Sequence, residues 1–156
     1  MAIKLPFLYR EKGEVIVKGK NVSINPSLET KELIDPERKK ALIVDDETDI
    51  CYLLSNILKQ RNIQTAFAGS LAEADKILQS PNYYYYVFLD NHLPDGLGIN
   101  QIKRWKEKFP FIHVIMITAH DSYEERKKAS KDGAEHFISK PFTKEVILSS
   151  IVPTSA

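Results

Sequence analysis

From Ala41 onward the apolar positions follow two alternating patterns. Short runs end abruptly in polar residues: Ala41-Leu42-Ile43-Val44 and Tyr84-Tyr85-Tyr86-Val87-Phe88-Leu89, both unbroken, and residues 111–117, interrupted once by His113. Between them, apolar residues recur three and four positions apart, at Ile50, Leu53, Leu54, Ile57 and Leu58, then at Leu71, Ala74, Ile77 and Leu78, then at Ile99, Ile102, Trp105 and Phe109. The short runs predict strands buried on both faces, and the wider spacing predicts amphipathic helices. A weaker strand is predicted over residues 63–68, after a helix over 48–60. Ser70 is a candidate cap for the second helix. Pro81 and Pro110 stop the second and third helices. A charged fourth helix runs from a cap at Asp121 or Ser122 through Lys131 and closes at Gly133. A fifth strand over residues 134–138 and a short last helix from near Thr143 complete the pattern. Five βα units in succession predict an α/β fold, a doubly wound parallel sheet with right-handed crossovers.

Residues 1–40 break this rhythm. Two β-prone runs, Glu14-Val15-Ile16-Val17 and Asn21-Val22-Ser23-Ile24, flank a turn at Gly19 and predict a β-hairpin. Asn25 and Pro26 suit the start of a short helix to Ile34, and the charged, proline-broken stretch 35–40 reads as a linker. The expected division is therefore an extension and linker over residues 1–38, a main domain over 39–152 and a tail over 153–156.

Bulk composition narrows the classes. The chain has 156 residues, 43% of them hydrophobic and 28% charged, an ordinary globular balance. A formal net charge of +1 gives no reason to expect a direct nucleic-acid surface or a membrane face. No apolar run approaches the roughly 20 residues that span a bilayer. One cysteine, Cys51, excludes an internal disulfide and fits a reducing, cytoplasmic setting; within a helical pattern it reads as a small buried hydrophobe.

The chemistry gathers at the carboxyl ends of the strands. The first strand ends in Asp45 and Asp46, the third in Asp90, the fourth in Thr118 and the fifth in Lys140. In a parallel sheet these ends share one edge, where ligands of open α/β folds bind. Taken singly, each residue has a plain structural reading: helix-start acids, a turn aspartate, a sheet-end hydroxyl, a solvated lysine. Together they form a different set. Three converging carboxylates repel one another unless a cation sits between them, and hard oxygen ligands suit Mg²⁺. An ammonium and a hydroxyl beside them match the needs of a phosphoryl group, with Asp90 as the candidate nucleophile.

The motifs resemble those of the receiver domains of two-component response regulators. Leu42-Ile43-Val44-Asp45-Asp46-Glu47, Phe88-Leu89-Asp90-Asn91-His92-Leu93-Pro94-Asp95-Gly96, Val114-Ile115-Met116-Ile117-Thr118-Ala119 and the stretch from Gly133 through Ser139-Lys140-Pro141-Phe142 carry the likeness. It implies a flavodoxin-like, three-layer fold with strand order 2-1-3-4-5. It implies that Asp90 accepts phosphate from a sensor histidine kinase or phosphotransfer protein. Asp46, Asp90 and the His92 backbone carbonyl would bind Mg²⁺ directly, and Asp45 through water. Lys140 would pair with the phosphate and Thr118 hydrogen-bond it, while Phe137 takes the place of the aromatic switch residue. The Lys140–Pro141 bond is expected to be cis. The expected function is signal relay to a downstream protein target, with a homodimer as one candidate assembly, and not turnover of a substrate. Two other readings compete. An aspartate-nucleophile phosphatase would carry an acid two residues after Asp90, where this chain has His92. A phosphorylation-independent interaction module would have no need of the full polar set.

Overall fold

The computed structural model describes residues 39–151 and, before them, Tyr9–Glu11, Glu14–Val17 and Lys20–Val22. The chain divides into two compact units, Met1–Glu37 and Arg38–Ala156. In the first, β1 (Tyr9–Glu11), β2 (Glu14–Val17) and β3 (Lys20–Val22) form an antiparallel meander, with Tyr9 opposite Ile16 and Val15 opposite Val22. The expected hairpin is present as β2–β3, and the sequence reading missed β1. The short helix expected after Asn25 lies outside the described residues.

The second unit is built on five parallel strands. In chain order these are β4 (Lys40–Val44), β5 (Gln64–Ala68), β6 (Tyr86–Asp90), β9 (His113–Thr118) and β10 (His136–Ser139). They lie in the order β10-β9-β6-β4-β5, which is the expected 2-1-3-4-5 arrangement counted within this sheet. Two short strands, β7 (His92–Leu93) and β8 (Gly96–Leu97), pair antiparallel just beyond β6. The helices are α1 (Thr48–Lys59), α2 (Leu71–Gln79), α3 (Ile102–Lys108), α4 (Tyr123–Asp132) and α5 (Lys144–Ser150), with a 3₁₀ turn at Gly98–Gln101 ahead of α3.

Every residue of β6 is buried, as an apolar strand covered on both faces must be. Its neighbours split by parity. Leu42, Val44, Val87, Leu89, Val114 and Met116 pack with residues of α2, α3 and α4. Ala41, Ile43, Phe88, Ile115 and Ile117 pack with residues of α1 and α5. This is the three-layer, doubly wound sandwich. Cys51 is buried in the second cluster; burial first, then the nearby Asp45 charge, pushes its thiol up to about 11. Leu53, expected to face the core from α1, is instead 46% exposed, because the inward stripe is met by Cys51, Leu54, Ile57 and Leu58.

Local signals place the helix ends. The hydroxyls of Ser70, Ser122 and Thr143 accept from the backbone N–H three residues on, at Glu73, Glu125 and Val146. Ser122 rather than Asp121 is thus the cap of α4. Gly133 closes that helix at φ 111°, in the left-handed region. Helix α4 is otherwise weakly anchored, with Ala129 its one buried residue. The Tyr83–Tyr86 aromatic run serves packing: Tyr86 is in the core, and the Tyr85 ring lies 4.7 Å from that of His113.

Gly98 fixes the acceptor strand against the 3₁₀ turn. A Cβ there would meet the Asp90 carbonyl oxygen at 2.2 Å and Leu89 Cγ at 2.9 Å, whereas a Cβ at Gly69 would meet nothing closer than 3.8 Å. Gly98→Ala should therefore lower the unfolding free energy by about 1–3 kcal/mol. Gly69→Ala should leave it unchanged or raise it by about 0.4–1 kcal/mol. Chemical denaturation of the two variants checks the contrast.

Candidate functional site

The sheet edge brings the expected residues together. Asp45 follows β4, Asp90 ends β6, Thr118 ends β9, and Lys140 follows β10. Strand pairing sets Ser139 beside Thr118 and Asp90 beside Ile117, so the ends are level. Asp45, Asp90 and Thr118 are buried, while Asp46 is exposed. One carboxylate oxygen from each of Asp45, Asp46 and Asp90 lies within 4.8 Å of the others.

Lys140 is the cation of this site. Its Nζ donates to Asp45 Oδ2 at 2.9 Å and to Glu47 Oε1 at 2.8 Å, and lies 3.7 Å from Asp90 Oδ1. Burial opposes its charge, but hydrogen bonds to Glu47 and Asp45, with the Asp90 carboxylate beyond, hold the ammonium above its ordinary range. Asp45 is further committed, because its Oδ1 accepts from the Glu47 N–H at 2.8 Å. Asp90 has its charge the least well supported. Burial, then the Asp45 charge, pushes it up to about 6, although Lys140 and the backbone N–H groups of Asn91 and His92 pull the other way.

The surrounding loops hold these groups in place. The Lys140–Pro141 peptide bond is cis, as expected. The Thr118 hydroxyl accepts from the His120 N–H at 3.1 Å. His92 lies on β7 with its side chain exposed, and its ring sits 4.8 Å from that of His120 on the facing loop. Asp95 Oδ1 and Oδ2 accept from the N–H groups of Leu71 and Ala72 at the start of α2, which holds its carboxyl below the usual range. Phe137 is half-buried on β10, with the Arg126 guanidinium 4.9 Å over its ring. Arg126 is itself held by Asp121, which also accepts from the Ser139 hydroxyl.

The sequence reading named Asp45, Asp46, Asp90, Thr118 and Lys140 as convergent, and all five lie at one edge. It did not single out Glu47 as a partner of Lys140, nor Asn91, Glu125 and Arg126 as contacts between the loops and α4. Glu47 carried a visible signal as the third acid of Asp45-Asp46-Glu47. The other three depend on packing between distant segments.

Comparison with known proteins agrees with this geometry. The family model described as the response regulator receiver domain matches residues 41–152. The chain belongs to that family. It is 38% identical over 104 residues to the response regulator protein PilR of Pseudomonas aeruginosa, covering 67% of this chain and 23% of that protein. It is 31% identical over 115 residues to the phosphate regulon transcriptional regulatory protein PhoB of Escherichia coli, covering 72% of this chain and 50% of that one. The chain thus spans between about a quarter and a half of these relatives. Among solved structures, the beryllofluoride-activated NtrC4 receiver domain dimer matches with a TM-score of 0.68 at 39% identity, covering 72% of this chain and 92% of that one. A CheY-like receiver domain protein from Methanospirillum hungatei matches with a TM-score of 0.68 at 26% identity, covering 73% and 90%. The chain is therefore a two-component receiver with a flavodoxin-like fold. No helix among the described residues is long and apolar enough to cross a membrane.

The raised Asp90 pKa has a signed consequence for the receiver without bound cation. Its folded value, about 6, lies above the unfolded one near 3.8. Between these values the folded state holds a proton that the unfolded state has lost, so stability falls as pH rises through the interval. Asp90→Asn should stabilise the metal-free protein by about 3 kcal/mol at pH 7, and the advantage should vanish near pH 4. Thermal unfolding of both proteins across pH 4–7.5 measures it.

Proposed function

We propose that this receiver relays a signal through phosphorylation of Asp90. The observation that carries the reading is the joint arrival of Asp45, Asp46, Asp90, Thr118 and Lys140 at one sheet edge. The donor is a phosphohistidine on a sensor histidine kinase or phosphotransfer protein. An Asp90 carboxylate oxygen forms a bond to phosphorus as the phosphorus–imidazole nitrogen bond breaks, and the leaving imidazole takes up a proton. Lys140, already 3.7 Å from Asp90, turns from its carboxylate partners toward the phosphoryl oxygens. Thr118 offers its hydroxyl as donor from the end of the neighbouring strand.

The acidic set fits a hard divalent cation: three carboxylates, one of them exposed, with oxygens close together. Asp46, Asp90 and the His92 carbonyl would hold Mg²⁺, with Asp45 acting through water because its oxygens already serve Lys140 and Glu47. Bound there, Mg²⁺ supplies positive charge to the phosphoryl oxygens. The paired rings of His92 and His120 limit water access to the acyl phosphate. The signal then leaves through Thr118 and Phe137 toward α4 and a downstream protein target. In the described arrangement Phe137 is held by Arg126 as well as by packing, so its rotation must also break a cation–π contact. Residues 39–152 act as the relay, preceded by an extension and linker over residues 1–38 and followed by a tail over 153–156. The receiver catalyses only its own phosphorylation and dephosphorylation, and assembly as a homodimer is compatible with this role.

Incubation with acetyl phosphate and Mg²⁺ should add one phosphoryl group, labile to hydroxylamine, and Asp90→Ala should abolish it; mass spectrometry reads both. Labelling that survives the substitution would move the acceptor elsewhere. Millimolar Mg²⁺ should raise the wild-type melting temperature, since a ligand of the native state stabilises it. Asp46→Ala should remove that rise. His92→Ala should shorten the lifetime of the phosphorylated form, by up to about tenfold if the ring is worth about 1.4 kcal/mol of the hydrolysis barrier.

A further inference from the structure

Helix α4 meets the acceptor loop at one buried polar contact. Asn91, the residue after Asp90, is 1% exposed. Its Oδ1 accepts from the Ile99 N–H at 3.0 Å, and its carbonyl accepts from the Gly98 N–H at 2.8 Å. These bonds use Asn91 to close the acceptor loop on itself. Its remaining donor, Nδ2, points outward from the loop and donates to Glu125 Oε1 at 3.2 Å. Glu125 belongs to the first turn of α4, where its own N–H already serves the Ser122 cap. Its other oxygen, Oε2, is buried without a hydrogen-bond partner among the described residues.

Such a carboxylate is poorly satisfied. A buried charged oxygen without a donor loses its hydration and gains nothing for it. The arrangement survives because Asn91 supplies the other oxygen and because the first turn is capped. Besides this contact, α4 is bound to the sheet by its one buried residue, Ala129, and by Arg126, which lies over the Phe137 ring and donates to the Phe137 carbonyl at 3.4 Å. Carrying Glu125 into water would hydrate both its oxygens at the loss of its hydrogen bond to Asn91. The orphaned oxygen therefore offsets part of what docking of α4 gains.

We propose that the Asn91–Glu125 hydrogen bond is a latch that keeps α4 docked in the unphosphorylated receiver. It couples the acceptor loop to α4 directly, separately from the Thr118–Phe137 route. This rests on the reading of Asp90 as phospho-acceptor, and it adds a contact one residue from the acceptor whose loss releases the helix. Phosphorylation would act on it by moving the backbone that carries Asn91.

Reciprocal exchange of the pair tests the latch. Asn91→Asp retains the acceptor for the Ile99 N–H but sets a carboxylate against Glu125. Glu125→Ala removes the contact from the α4 side, away from the acidic pocket. The double variant Asn91→Asp with Glu125→Gln restores one donor and one acceptor with their order reversed. Native-state hydrogen exchange of amides 123–132 is the readout, in wild type and in each variant without phosphodonor. Both single variants should exchange at least about tenfold faster there, as expected for a lost hydrogen bond to a charged group. The double variant should return most of that protection, which only a direct contact predicts. Amides of α1 and β6 should not change, which separates a released helix from general destabilisation. Unchanged exchange in Glu125→Ala, or a double variant no better protected than Asn91→Asp, overturns the latch. Failure of acetyl phosphate to label Asp90 in wild type would instead count against the acceptor reading and leave the exchange result standing.

Discussion

The ammonium of Lys140 holds the working edge of this receiver together. It joins two segments 95 residues apart in the chain, bonding Asp45 after the inner strand β4 from its own place after the edge strand β10. Without it, Asp45 and Asp90 would be two buried carboxylates facing each other, an arrangement that low dielectric makes costly. The pairing is also incomplete. Asp45 and Glu47 take the close hydrogen bonds, and Asp90 is left at longer range with its proton affinity raised. The resting site thus carries more carboxylates than its one ammonium can pair, and the residue left least paired is the proposed nucleophile.

Most of the fold was legible because the chain states it twice. Fully apolar runs such as residues 41–44 and 86–89 mark strands with both faces covered, and the helical spacing between them leaves one way to connect a parallel sheet. The extension was harder. The strand Tyr9–Glu11 is short and carries two charged residues, so it shows neither alternation nor an apolar run. Leu53 matches the helical period and so predicts an inward side chain, yet the period admits a neighbouring stripe, and Cys51 occupies it.

The same division holds at the site. Asp45, Asp46, Asp90, Thr118 and Lys140 could be named because each ends a strand, and strand ends are written locally. Asn91, Glu125 and Arg126 could not, because their roles depend on which loop faces which helix turn. Arg126 looks like one more surface cation in Arg126-Lys127-Lys128. Only its place over Phe137 and beside Asp121 distinguishes it. Such contacts are set by the tertiary arrangement, and no periodicity announces them.

The two apolar clusters flanking the sheet have no buried residue in common. The strands therefore act as a partition as well as a core. A volume change under α1 and α5 reaches residues under α2, α3 and α4 only by displacing the backbone between them. Energies of substitutions on opposite sides should then combine as separate sums, while those on one side interact through shared neighbours. For evolution this means two nearly independent packing problems in one domain. The layer that carries α4 could be repacked around a new partner while the layer behind β6 kept the acceptor strand in register.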